Sequence, residues 1–427
     1  MTTADEYIEA DEESQLDPID VFTPRQPPSR EMFTKRNEAD LYGNPGLQDR
    51  ARDALRERGG QLIMFGDAGV GKSTLLKYAA EDEGMKMISI KARSKSFDEL
   101  IDMAIREVTA EREVEIVRTS GSGGGGEVGL SSHVTIKGHL KNEKGQQVRV
   151  ELIEQEPLLA LADTLATEGY RILAFDNFHN VKAEDRAMFA QALEVFSDIA
   201  DETGDVKMVL LGIADDADSL VGSGSGSGSV RRRMIEIGVP RMPDDEISSI
   251  LASGFRLLGL ECEENALRDL IFYCDGFPYF AHLLGLSVAR DARRRGERVI
   301  AVPALDAALA NVSKQVEGTF PTRIAQAFER GGKVQPRKRI LHTMCASNRR
   351  EWRSGDVVEE YAKLYDLPKD KDPGFLHAAL GALVLPKRGA VLTRRGPRGQ
   401  YVFRFGDPYM RPYLRMQHFQ PAQGRLF

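Results

Sequence analysis

Cysteine is scarce in this chain of 427 residues: Cys262, Cys274 and Cys345 stand at no spacing that suits a metal site or a disulfide framework. That usage points to a reducing compartment, the cytoplasm. Long apolar runs are missing as well; none approaches the ~18 residues of a membrane span, so no membrane partner is expected. The opening MTTADEYIEADEESQLDPID lacks the basic-then-apolar order of a secretory signal. Residues 1–24 hold eight acids and no Lys or Arg. The one tryptophan, Trp352, and the nearby Tyr361 read as core or edge residues rather than as platforms for stacked bases.

What is present is an ordinary globular composition, 41% hydrophobic and 29% charged, in a chain long enough for two or three domains. The net charge of −7 hides an asymmetry: residues 333–427 carry nineteen Lys/Arg against eight Asp/Glu, a local balance of +11. An acidic leader with a basic far end suggests nucleic-acid contact at that end.

Along the chain, residues 1–30 read as a disordered acidic tail. Strand, glycine-rich loop and helix follow in QLIMFGDAGVGKSTLLKYAAEDEG, then a strand KMISIKA and an amphipathic helix with a Ser cap in SFDELIDMAIREVTAE. Within 113–152, SHVTIKGHL and QQVRVEL joined by KNEKG predict a β-hairpin insertion. Buried strands RILAFD and VKMVLLGIA, separated by a helix, complete a βαβ pattern that predicts a parallel sheet with helices on both faces. The GSGSGSGS stretch at 222–229 has the composition of a flexible linker, natural or introduced. The expected organisation is an α/β P-loop core over 31–240, a helical lid over 241–332, and a winged-helix domain over 333–420. The last is predicted from three helices followed by a two-stranded hairpin.

The chemistry centres on Gly66-Asp67-Ala68-Gly69-Val70-Gly71-Lys72-Ser73-Thr74, a G-x-x-x-x-G-K-S run placed after a strand and before a helix. Such glycines let consecutive backbone N–H groups converge on phosphate oxygens, and the helix adds its positive end. Lys72 is expected at the β- and γ-phosphates, Ser73 on Mg²⁺, and Thr74 near the α-phosphate. Asp176, ending its strand, is the candidate second Mg²⁺-side group.

The next residue is an amide, Asn177. It can orient a water but cannot take its proton. His179 is a candidate base or a structural histidine. Gly212, at the end of the following strand, has no side chain where a γ-phosphate sensor is expected. Arg231, Arg232 and Arg233 are candidates for arginine fingers reaching a neighbouring subunit, or form a solvated basic turn.

These segments, with VPRMPDDEISSIL, Gly276-Phe277-Pro278 and the ending YVFRFGDPYMRPYL, resemble AAA+-related ATPases of the STAND signal-transduction class and their origin-recognition-like relatives. The FHN stretch is also similar to ATPase subunits that regulate transposition. The resemblance implies ATP and Mg²⁺ as ligands, Pro278 in a lid loop that approaches nucleotide, homo-oligomers, and separately encoded protein partners. It implies a switch with slow or partner-stimulated hydrolysis that drives assembly in signalling or antiviral defence. The alternative is a DNA-binding accessory ATPase of transposition or replication. The wing residues Lys387, Arg388, Arg394, Arg395, Arg398 and Arg404 are candidate phosphate contacts on DNA, or part of a protein-docking face.

Overall fold

The computed structural model describes residues 16–36, 43, 45–109, 113–120, 132–141, 147–151, 157–222, 228–328, 335–365, 374–397, 399–420 and 425–426. They divide into two compact units: residues 35–240, and residues 1–34 with 241–427.

The first unit is built on five strands: β1 (Gln61–Phe65), β2 (Lys86–Lys91), β3 (Tyr170–Asp176), β4 (Lys207–Gly212) and β5 (Met234–Gly238). They form one parallel sheet in the order β2-β3-β4-β1-β5. Ile172–Phe175 of β3 and all of β4 are buried, as strands must be when helices cover both faces of a sheet. Because the strands are parallel, their C-terminal ends share one edge, and Phe65, Asp176 and Gly212 all arrive there.

Among the helices that accompany the strands are α1 (Lys72–Asp82), α2 (Phe97–Val108), α3 (Pro157–Thr167) and α4 (Ala183–Asp198). The Ser cap read for α2 is a full capping box. Glu99 N donates to Ser96 Oγ at 3.3 Å, and Ser96 N donates to Glu99 Oε2 at 2.8 Å. Phe189 of α4 is the centre of an aromatic cluster, edge-on to Phe97, Phe175 and Phe178 at centroid distances of 4.8, 4.9 and 4.9 Å. Contacts of this geometry add to simple area burial. They tie the end of β3 to the helices beneath it.

The expected hairpin forms, with Ser132–Lys141 pairing antiparallel with Gln147–Glu151, and a third strand, Glu113–Ser120, extends it to a three-stranded antiparallel sheet. Its first strand, EVEIVRTS, pairs in register with Ser132–His139. That strand alternates polar and apolar residues only over Glu113–Ile116 before Val117 breaks the pattern, so its period-two signal is short and is followed by a glycine-rich run.

In the second unit, helices Asp244–Leu257, Glu264–Cys274, Pro278–Arg295, Leu305–Val316 and Phe320–Ala327 come first. Helices Pro336–Ala346, Ser354–Tyr365 and Gly374–Leu383 follow, then strands Leu392–Arg395 and Val402–Phe405. A third, two-residue strand, Trp352–Arg353, pairs antiparallel with Val402–Phe403 and adds to the expected two-stranded hairpin. Its brevity leaves no periodic signal. The buried Trp352 packs edge-on to Phe405. A final helix runs over Met410–His418.

The expectation of a disordered tail over 1–30 is corrected for its second half; residues 1–15 lie outside the described residues. Pro18–Val21 forms a short helix capped by Asp17, and Phe22 is fully buried. The Phe22 ring fits a notch made by two glycines: a methyl group at Gly254 or Gly285 would lie 2.3 or 2.4 Å from it. Its neighbours are Phe255 at 5.4 Å and His282 at 6.1 Å. Burying one such ring contributes about 1.5–3 kcal/mol, which composition alone does not reveal.

Candidate functional site: a phosphate-binding loop facing a strand-end carboxylate

The loop between β1 and α1 owes its path to glycine. Gly66 has φ +146°, and a Cβ there would lie 2.3 Å from the backbone oxygen of Val239. Val239 N in turn donates to Phe65 O at 2.8 Å, so the chain after β5 is laced to the last residue of β1, just before the loop. Gly71, at φ +94°, turns left-handed and caps α1 without any side-chain hydrogen bond. The first N–H groups of α1 therefore receive no side-chain acceptor from the cap, and the helix's positive end faces the loop. An anion is the natural complement.

Lys72 is buried at the first turn of α1, and its Nζ donates to Gly66 O at 3.1 Å and Asp67 O at 2.8 Å. Burial pushes its ammonium down to about 8 despite the pull of Asp176 and Asp67. An ammonium held this way is under-compensated, and a phosphate would supply the missing charge. Ser73 is exposed, and its Oγ lies 3.2 Å from Asp176 Oδ2. The sheet order explains the meeting: β4 separates β1 from β3, and α1 carries Ser73 across the sheet's edge toward Asp176. Thr74 is half-buried one residue further along α1. Asp67, Ala68 and Gly69 are half-buried in the loop, while Val70 is buried.

Whether these residues suit Mg²⁺ is a matter of donor type and number. A serine hydroxyl and one carboxylate are hard oxygen donors, too few to cage a cation by themselves. Among the described residues no group of three His, Cys, Asp or Glu could do so. Mg²⁺ is held this way elsewhere, by one or two protein oxygens with water and phosphate oxygens completing the shell. The donor set fits.

Asn177 adopts φ +59°, ψ +36°, and its N–H donates to Asp176 Oδ1 at 2.8 Å. Asparagine is among the few residues that tolerate this left-handed region, so the amide is matched to the turn as well as to any role with water. The short 3₁₀ turn Phe178–Asn180 follows, anchored by buried Phe178. His179 is half-buried, and its Nδ1 accepts a hydrogen bond from Ile213 N at 3.2 Å, joining the turn to the residue after β4. Burial lowers its pKa, as do the Lys72 and Arg186 charges, against the opposing pull of Asp176. At Gly212 a Cβ would lie 2.2 Å from Leu220 Cδ1 and 3.2 Å from His179 N, so a side chain there would collide with its surroundings.

Arg233 is ion-paired within its own unit, to Glu194 at 2.9 Å and Asp198 at 2.6 Å on α4. Arg231 pairs with Asp218. Arg232 is exposed. Pro278 belongs to the other unit, buried at the first position of its helix. Of the basic wing residues, Lys387, Arg388, Arg394 and Arg395 are exposed, Arg404 is half-buried, and Arg398 lies outside the described residues. Arg394 lies over the ring of Tyr401 at 4.6 Å.

Two arginines escape a motif-based reading. Arg36 is buried, thirty residues before the loop, and donates to Pro240 O at 2.9 Å and Val70 O at 3.5 Å. Arg186 of α4 donates to Val181 O at 3.0 Å and His179 O at 2.9 Å, bracing the 3₁₀ turn. Both act on backbone carbonyls, which no sequence pattern announces.

No protein-family profile matches this chain, and no curated protein is similar to it in sequence. Solved structures do align over most of its length. The ORC2 protein of Aeropyrum pernix, in ADPNP–ADP complexes, is 15% identical, covers 91% of this chain and 96% of its own, and gives a TM-score of 0.45. A Walker-type ATPase of Pyrococcus abyssi is 18% identical over 86% and 94%, with a TM-score of 0.44. The RuvB Holliday junction branch migration motor of Thermotoga maritima is 15% identical over 87% and 96%, with a TM-score of 0.37. Likeness at that level says nothing of this chain's chemistry, which rests on the side chains above.

Proposed function

We propose that this protein binds a magnesium–ATP complex between the loop of residues 66–74 and Asp176, hydrolyses it slowly when alone, and passes its nucleotide state to the helical unit as a switch. One observation carries the reading: Ser73 and Asp176, 103 residues apart in sequence, stand 3.2 Å apart beside a buried lysine and the start of a helix. The loop amides and Lys72 hold phosphate oxygens, and Ser73 and Asp176 hold Mg²⁺, which when bound draws off charge from the transferring phosphoryl group. Asn177 orients water without accepting its proton, and that supports slow turnover. Exposed Arg232 supports completion of the site from another copy of the chain, and a separately encoded partner is the proposed stimulator. Signalling or antiviral defence remains the context implied by the family resemblance.

Calorimetric titration with ATP, with and without Mg²⁺, tests the reading. Lys72→Ala should abolish measurable binding, and Asp176→Asn should remove the Mg²⁺ dependence. Undiminished ATP binding by Lys72→Ala would overturn the proposal. So would a turnover well above ~10 s⁻¹ for the isolated protein, a typical enzyme median.

A second reading, a DNA-linked accessory ATPase, is favoured by the exposed Lys387, Arg388, Arg394 and Arg395. ATP-dependent sedimentation separates the two: assembly that requires DNA supports the second, and assembly that requires another protein supports the first.

A further inference from the structure

We infer that His179 is this protein's γ-phosphate-sensing residue, acting as a neutral hydrogen-bond donor through Nε2–H and taking over the task that Gly212 cannot perform. The inference rests on the proposed function and assigns a positioning role within that same site.

Three observations converge on His179. First, the end of β4 has no side chain at Gly212, and the packing of Leu220 and His179 N around it leaves no space for one. A side chain there would displace the end of Leu220 and press on His179 N, so this strand end is crowded as well as bare. Second, β4 is not idle: Ile213 N, immediately after it, donates to His179 Nδ1 at 3.2 Å. The strand end thus holds a side chain borrowed from the neighbouring turn. Third, that turn is fixed from two further sides, by Phe178 against Phe189 and by Arg186 on the carbonyls of His179 and Val181.

The hydrogen bond also decides the tautomer. An imidazole whose Nδ1 accepts an N–H must carry its own proton on Nε2 when neutral. Burial and the neighbouring Lys72 and Arg186 charges favour the neutral ring, with Asp176 opposing. Nε2 is then a donor, and it would have to be bare to accept a proton from water. General-base work by His179 is accordingly disfavoured. A donor fixed between β3 and β4, within the field of Lys72 and Asp176, suits the anionic terminal phosphate that distinguishes a nucleoside triphosphate from a diphosphate.

The test uses the full chain and calorimetric binding of two probes with Mg²⁺: ADP, and the non-hydrolysable imido analogue of ATP. His179→Gln keeps a donor near the Nε2 position, while His179→Asn can keep the acceptor near the Nδ1 position but its shorter amide brings no donor to the Nε2 position. The expected result is that His179→Ala and His179→Asn weaken the imido analogue by about 10- to 100-fold, the worth of one hydrogen bond to a charged group. ADP affinity should stay within about twofold, and His179→Gln should recover most of the loss.

Equal losses for both probes would show a merely structural histidine and overturn the inference. So would near-normal binding by His179→Asn with His179→Gln as weak as His179→Ala. Unchanged binding in all three variants with lost turnover would restore the base instead. If the wild-type chain binds neither probe, the nucleotide reading itself falls, an outcome distinct from failure of the variants alone.

Discussion

Acid should release the N-terminal segment through His282. This ring is 5% exposed on helix Pro278–Arg295, and Thr23 N donates to its Nδ1 at 3.1 Å while Phe22 packs edge-on beside it. Burial pushes its pKa from 6.5 down to about 4. Between those values the unfolded chain holds the extra proton and the folded chain does not, so stability rises with pH across that window. The contribution is fully present above pH 6.5, is lost progressively as pH falls toward 4, and is flat below. At about 1.36 kcal/mol per pH unit the loss approaches about 3 kcal/mol. Buried Trp352, the only tryptophan, lies in the same unit and reports its unfolding by fluorescence. Urea midpoints at pH 7.5, 6.5, 5.5 and 4.5 would be compared for wild type and His282→Asn, whose side-chain oxygen replaces the Nδ1 acceptor. The variant should start less stable and then lose less on acidification. The remaining slope comes partly from His342, which burial also pushes down to about 4. Parallel pH dependence of the two proteins would refute the reasoning.

Asp275 is the shared counter-ion of Arg241 at 2.6 Å, Arg411 at 3.3 Å and Arg415 at 3.2 Å. Asp275→Asn should cost about 3–5 kcal/mol by stranding buried guanidiniums, visible as a lowered denaturant midpoint. A change under about 1 kcal/mol would show that backbone carbonyls alone compensate them. Gly66→Ala places a methyl group against Val239 O at 2.3 Å, so ATP binding should disappear in calorimetry while Gly355→Ala, which meets nothing within 4 Å, leaves it intact. Arg233→Ala should destabilise the first unit by about 1 kcal/mol through its lost ion pairs yet leave turnover unchanged, whereas a large turnover loss would reinstate Arg233 as a finger.

The first unit was legible in the sequence where local rules govern. Apolar runs gave the strands, Ser96 and Glu99 gave a helix start, and the glycine–lysine–serine run gave the loop. The pairing of Ser73 with Asp176 was inferable because strand order in a parallel sheet brings strand ends together. What stayed hidden depends on partners far along the chain. Phe22 sits in a segment whose composition reads as solvated, and its notch is the absence of side chains at Gly254 and Gly285. Arg233 looked like a free basic turn because the carboxylates of Glu194 and Asp198 are reached only through the fold. The left-handed turn at Asn177 is invisible to periodicity, although it rationalises the amide there.

The division of the chain has a consequence for biosynthesis. Residues 35–240 are contiguous and can complete their sheet as soon as they leave the ribosome, whereas residues 16–34 belong with a unit that resumes only at Arg241. At about 5–20 residues per second, Phe22 waits about 12–46 s for Gly254 and Phe255, its first helical neighbours. Asp275 must then wait for Arg411 and Arg415, the latter 140 residues later. The nascent second unit therefore carries an uncovered aromatic ring until residues 254–285 emerge, and Asp275 has Arg241 but neither Arg411 nor Arg415 until the last helix follows. Chaperone dependence during synthesis should concentrate there, while the sheet unit folds unaided.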